Sequence, residues 1–154
     1  MKQSLDNAPL GRLVAMAGHL ATRRWGEYLA ETYGITAGGA AVLMVLWADG
    51  ESKHSHLAAR CAIRPATLTG VVDTLERAGL VERVPAPEDR RVTLVALTES
   101  GAAIAEELHV RAHSRQGLRP ITSIDADPAK EQVIRDFLVE MITRLSDPKE
   151  TNGI

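Results

Sequence analysis

Residues 64–97 read RPATLTGVVDTLERAGLVERVPAPEDRRVTLVAL, and the fold turns on where the period of this stretch changes. After Pro65 the apolar groups Leu68, Val71, Val72 and Leu75 recur at three- and four-residue intervals, which predicts a helix over 65–78 with one buried face. Pro65 suits the first helical position, because the N–H it lacks is one the helix leaves unbonded anyway. Gly79 stands where a left-handed C-terminal cap is expected. Beyond it the period drops to two. Residues 80–84 and 92–97 are rich in β-branched side chains and read as strands. The loop between them, PAPEDRR, is polar and stiffened by proline, so the pair forms a hairpin with an extended tip.

Immediately upstream, 54–60 reads as a short helix with Leu57, Ala58 and Cys61 on its inner side. The connection Ala62-Ile63-Arg64 is too tight for anything but a turn. Two helices joined by a tight turn and followed by a two-stranded hairpin make a winged helix-turn-helix. A helix fits the major groove of B-DNA with its N-terminal residues at the base edges. A basic hairpin tip reaches the flanking minor groove, whose negative potential attracts arginine. The helix start offers Arg64, Pro65, Thr67, Thr69 and Gly70 on faces the core does not use, and the hairpin tip offers Arg90 and Arg91.

The flanking sequence supplies further helices. Residues 10–29 form an amphipathic pattern that ends near Tyr33-Gly34. Thr36 is placed to cap a helix over 37–48, which is apolar on every face from Ala40 to Ala48 and so predicts a buried helix. Gly38 and Gly39 weaken that helix but permit close packing near its start. Thr98 caps a helix that begins Glu99-Ser100 and runs to about Leu118, before Pro120. Asp127-Pro128 starts another, with the stripe Val133, Ile134, Phe137, Leu138, Met141, Ile142 and Leu145. Residues 147–154 lack periodicity and should fray. The chain is mainly α with a small β-hairpin wing, in the order α-α-α-α-β-β-α-α.

Composition agrees with one domain, or one with an appendage: 154 residues, 45% hydrophobic and 25% charged, can bury a sizeable core without staples. The single cysteine, Cys61, excludes an internal disulfide and a multi-cysteine zinc site. No apolar run approaches the ~20 residues of a membrane span and no signal-peptide pattern opens the chain, so a cytoplasmic location is expected. The net charge of −2 conceals an uneven distribution. Basic against acidic residues number 4 to 5 over 1–51, 7 to 5 over 52–91 and 7 to 10 over 92–154. The positive excess falls on the helix-turn-helix and wing.

The run from Arg64 to Arg83 resembles the recognition-helix signature of the MarR family of transcriptional regulators. Asp89-Arg90-Arg91 is similar to that family's wing motif, Asp-x-Arg, and Leu97-Thr98-Glu99-Ser100-Gly101 to the start of its next helix. With the flanking helices the resemblance covers about residues 10–146. It implies an intertwined homodimer on a pseudo-palindromic operator, with 35–98 as the DNA-binding domain and 1–34 with 99–146 as the dimerisation region. It implies a repressor released by a small-molecule effector. By the same resemblance Asp89 orients Arg91, Arg91 enters the minor groove, and Arg90 contacts phosphate. Thr67 and Thr69, then Arg64, are the leading contacts on the helix. The sequence departs from the family pattern at Ala62, where glycine is frequent. It departs again at Lys53, where Thr or Ser often caps the helix and Ser52 is left to substitute. Lys53, His54 and His56 place extra positive potential beside the DNA backbone.

Other residues admit a functional reading and a plain one. His109 and His113 stand four apart on one helix, a metal-ligand spacing, but no further ligand can be named. A solvated or interface pair is the preferred reading, and a zinc-responsive regulator the alternative; no metal or cofactor is assigned. Cys61 occupies a core position and reads as structural. Trp25, Met44 and Trp47 are candidates to line an effector pocket, though such residues at helical spacing more often belong to the core. No catalytic constellation emerges, so an enzyme is not expected. A winged helix serving only protein contacts is the remaining alternative, separable by whether the chain binds duplex in a salt-dependent manner.

Overall fold

The computed structural model describes residues 5–113 and 127–146. The expected end of a helix near Leu118, the linker before Asp127 and the tail 147–154 lie outside the described residues. Elements run α1 (Leu10–Tyr33), α2 (Ala37–Asp49), β1 (Ser52–Lys53), α3 (His54–Arg60), α4 (Pro65–Arg77), β2 (Val81–Pro85), β3 (Thr93–Leu97), α5 (Glu99–His113) and α6 (Pro128–Ser146). The chain divides into two compact units, Met1–Val110 and Arg111–Ile154. Among the described residues, no single helix is long and apolar enough to cross a membrane.

The first unit is built around α2. Its side chains Val42 and Leu43 are fully buried, together with Leu57 of α3, Leu68 and Val72 of α4, and Leu108 of α5. Thr36 caps α2 by accepting from the Gly39 N–H at 3.1 Å. Gly39 is needed for a second reason: a Cβ there would sit 3.3 Å from Leu75 Cδ2, so α2 and α4 touch with little to spare. Most of the α1 stripe is left open. Only Leu29 is buried on that helix, whereas Leu10, Met16 and Leu20 are exposed.

The sheet has three strands in the order β1-β3-β2, not the two of the expected hairpin. Ser52 pairs with Val95 and Lys53 with Leu94, along the edge of β3 that β2 leaves free. A two-residue strand carries no readable alternation, so only the pairing reveals it. This strand also overturns the expected cap on α3. The Ser52 hydroxyl donates to the Gly50 carbonyl at 3.0 Å, and α3 starts at His54, after Lys53, without a side-chain cap. Pro85 ends β2, an edge strand, where a missing N–H is tolerated.

The wing is anchored at its base by Thr98. Its hydroxyl donates to the Gly79 carbonyl at 2.7 Å and accepts from the Gly101 N–H at 3.1 Å, capping α5. The Thr98 N–H donates to the Leu80 carbonyl at 3.2 Å. Gly79, at φ +71°, makes the turn from α4 into β2.

In the second unit, Asp127 caps α6 by accepting from the Ala129 and Lys130 N–H groups at 3.2 and 3.3 Å. Ion pairs Glu131–Arg135 and Glu140–Arg144 brace the helix, while Val133, Ile134, Phe137, Leu138 and Ile142 are exposed.

Candidate nucleic-acid interface

The turn between α3 and α4 is made by Ala62, which adopts φ +52°. Backbone bonds from Cys61 N to Leu57 O, Ala62 N to Ala59 O and Ile63 N to Ala58 O close it. The left-handed position explains why glycine is frequent there in the family the sequence resembles: a Cβ in this conformation costs about 1–2 kcal/mol. Helix α4 then begins with Pro65 at its first position and buries Leu68, Val72 and Leu75. Arg64, Pro65, Thr67, Thr69 and Gly70 are all exposed.

His54, at the first turn of α3, is brought to this helix. Its Nε2 lies 3.3 Å from Thr69 Oγ1, and the Thr69 hydroxyl donates to the Pro65 carbonyl at 3.3 Å. Lys53 is exposed one residue earlier. His56 behaves differently from His54. It donates to Asp49 at 2.9 Å, and Arg60 pairs with the same carboxylate at 2.9 Å. These two partners, His56 first, hold the Asp49 carboxyl below its ordinary range. The positive potential expected from His56 is therefore already engaged by an acid.

At the wing tip, Ala86 N donates to Val92 O at 2.8 Å and Val92 N to Asp89 O at 2.9 Å. The Asp89 carboxylate accepts from the Arg91 backbone N–H at 3.0 Å. Asp89 thus holds the main chain of Arg91, and both Arg90 and Arg91 are exposed.

A contact that sequence reasoning missed joins wing to helix. The Arg83 guanidinium on β2 donates to Glu76 and, at 2.6 Å, to Asp73, both on α4. The Asp73 hydrogen bond and the charge of both acids hold the Arg83 proton more tightly than usual. The available signal was the spacing of Asp73 and Glu76, three apart and hence on one helical face. This clamp, with the Asp49 cluster, sorts the positive charge. Among the described residues Arg60 and Arg83 are paired, whereas Lys53, Arg64, Arg90 and Arg91 make no ion pair.

The three pocket candidates have separate partners. Trp25 stacks on Tyr28 at 5.5 Å, Met44 packs against the core, and Trp47, 40% exposed, stacks on His109 at 4.2 Å. Tyr28 also meets Tyr33, whose phenol is pushed well above its ordinary range, first by burial and then by Tyr28. Among the described residues no group of three or more His, Cys, Asp or Glu is placed to hold a metal, and the His113 side chain lies outside them. Cys61 is half-buried, and burial pushes its thiol up.

Comparison with known proteins connects this geometry to a family. The MarR family model matches residues 35–93, which span the start of α2 through the first residue of β3. The multiple antibiotic resistance protein MarR of Salmonella typhimurium is 37% identical over 103 residues, 67% of this chain and 71% of that protein. The crystal structure of reduced MarR from E. coli superposes with a TM-score of 0.68 at 29% identity, covering 88% of this chain and 96% of that one. A structure of Bordetella bronchiseptica BpsR, described as explaining regulation of its DNA binding by 6-hydroxynicotinic acid, superposes with a TM-score of 0.64 at 25% identity. It covers 86% of this chain and 92% of BpsR.

Proposed function

Because the chain belongs to the MarR family of transcriptional regulators, we propose that it is a homodimeric repressor. In this reading it binds a pseudo-palindromic operator and is released by a small-molecule effector. The observation that carries the reading is the sorted charge around α4: acids pair the cations that brace the fold, and Lys53, Arg64, Arg90 and Arg91 face outward. Thr67, Thr69 and Gly70 lie at the base edges of the major groove, with Pro65 setting the start of the helix. Lys53, Arg64, His54 and Arg90 contact phosphate. Arg91 enters the minor groove, its backbone held by Asp89.

Dimerisation covers apolar groups exposed on α1 and α6, among them Leu10, Met16 and Leu20 on one and Val133, Ile134, Phe137, Leu138 and Ile142 on the other. In this assignment 1–34 and 99–146 form the dimerisation region and 35–98 the DNA-binding domain. Two recognition helices then fall in successive major grooves, roughly 34–36 Å apart. The effector works by population shift: it binds better to a dimer whose helices are wrongly spaced and weakens DNA binding by that difference. The effector of BpsR supports a small aromatic acid as the ligand class, with Trp25, Met44 and Trp47 as candidate lining residues. The protein acts in the cytoplasm as a regulator, not an enzyme.

Selection of bound duplexes from a random pool tests this. The expected result is an inverted repeat with half-sites about one helical turn apart. If Lys53, Arg64, Arg90 and Arg91 of each protomer, eight cations in the dimer, each displace a counterion, the slope of log K against log salt is about −7. A pool that never enriches, or binding indifferent to salt, overturns the proposal.

A further inference from the structure

The hydroxyl of Thr69 is held by two neighbours, and their chemistry decides what its third direction offers. A threonine Oγ1 has one proton and two lone pairs, and ordinarily rotates to donate or accept as its partner requires. Here the Pro65 carbonyl lies at 3.3 Å and the His54 Nε2 at 3.3 Å. A carbonyl oxygen only accepts, so the proton of Thr69 points to Pro65. The imidazole must then donate, its Nε2–H directed at one lone pair of Oγ1. One lone pair remains, on an exposed side chain of the recognition helix.

We infer that Thr69, set by His54, is a hydrogen-bond acceptor toward DNA and reads the exocyclic amino group of adenine or cytosine in the major groove. The acceptors of the groove, guanine O6 and N7, adenine N7 and thymine O4, face a lone pair and are rejected by it. His54 is a positioning residue in this scheme: it fixes the hydroxyl and touches no base. The inference rests on the reading of α4 as the recognition helix and adds the identity of the group recognised.

The test begins with the operator enriched from a random pool by the wild-type protein. Thr69→Val keeps the shape and removes the hydroxyl, so the base pair whose preference it abolishes is the one Thr69 reads. The variant's melting temperature certifies its fold. At that pair, 2-aminopurine replaces adenine, or pyrimidin-2-one replaces cytosine, which takes the amino group out of the major groove. The expected loss is about fivefold, the size of one neutral hydrogen bond, and is absent in Thr69→Val. Replacement by a 7-deazapurine, which removes the N7 acceptor, leaves affinity unchanged. His54→Ala weakens the preference at this pair alone, and His54→Gln, which retains an N–H donor, restores it. Sensitivity to the 7-deazapurine in place of the amino group overturns the inference while leaving DNA binding intact. So does a Thr69→Val protein that enriches the wild-type motif. Failure to enrich any motif overturns the functional reading and this inference together.

Discussion

Gly101→Ala is the substitution on which the packing of wing against helix can be measured. A Cβ built on Gly101 falls 1.8 Å from the Leu80 carbonyl oxygen and 2.8 Å from its carbon. Carbon and oxygen approach to roughly 3.3 Å at closest, so the start of α5 and the base of the wing must separate by about 1.5 Å. The obstacle is backbone, which cannot swing aside as a side-chain end can. Separation by that distance disrupts the bonds from Thr98 N to Leu80 O and from Thr98 Oγ1 to Gly79 O, each worth ~1 kcal/mol. Overpacking strain adds about 1–3 kcal/mol. Against this, alanine is the better helix former by ~1 kcal/mol. The net destabilisation is about 2–4 kcal/mol, which lowers the melting temperature by about 5–15 °C in a chain of this size. Thermal unfolding followed by circular dichroism, at one fixed protein concentration, measures it. Gly70→Ala serves as the control: nothing lies within 4 Å of the added Cβ, so it should raise the melting temperature by a few degrees. A Gly101→Ala protein that melts within 2 °C of wild type would refute the reasoning, since the helix and the wing would then have to part without loss.

Four further outcomes are expected. Arg91→Ala should weaken operator binding by ~1–3 kcal/mol in a fluorescence-anisotropy titration while the melting temperature stays put; an unchanged affinity would remove Arg91 from the interface. Arg83→Met should lower operator affinity through loss of the bonds to Asp73 and Glu76, and Arg83→Lys should recover only part of it, because an ammonium cannot reproduce the guanidinium fork. Ala62→Gly relieves a left-handed alanine of about 1–2 kcal/mol and loosens the unfolded chain by about 0.4–1 kcal/mol, so a small rise in melting temperature is expected; a fall would show that the turn is unstrained. Asp49 has a depressed carboxyl, so its contribution to stability is present above the ordinary value of 3.8 and is lost as pH falls below it. Asp49→Asn should accordingly flatten the acid limb of a stability–pH curve below pH 3.8, and an unaltered limb would count against the His56 and Arg60 pairing.

Much of the architecture was legible in residues 64–97 because the chemistry there is local. A helix declares itself by the spacing of Leu68, Val72 and Leu75, and the caps at Thr36, Gly79 and Thr98 are set by neighbours within four residues. The outward positions of Arg64, Thr67, Thr69 and Gly70 follow from the same period. Charge counts by segment likewise located the basic region, though not which of its cations are free.

What only the tertiary structure decided involves partners distant in sequence. Strand β1 exists because β3 has an open edge, some forty residues away, and Ser52 spends its hydroxyl on Gly50 instead of on α3. Spacing puts His54 and His56 on different faces of α3, but it does not say that one meets Thr69 and the other Asp49. Arg83 looks like one more basic residue of the wing until Asp73 and Glu76 are found beneath it. Periodicity tells a side chain which face it occupies, since that depends only on the backbone's own repeat. It cannot tell which group waits on that face, since that depends on how separate elements are packed together.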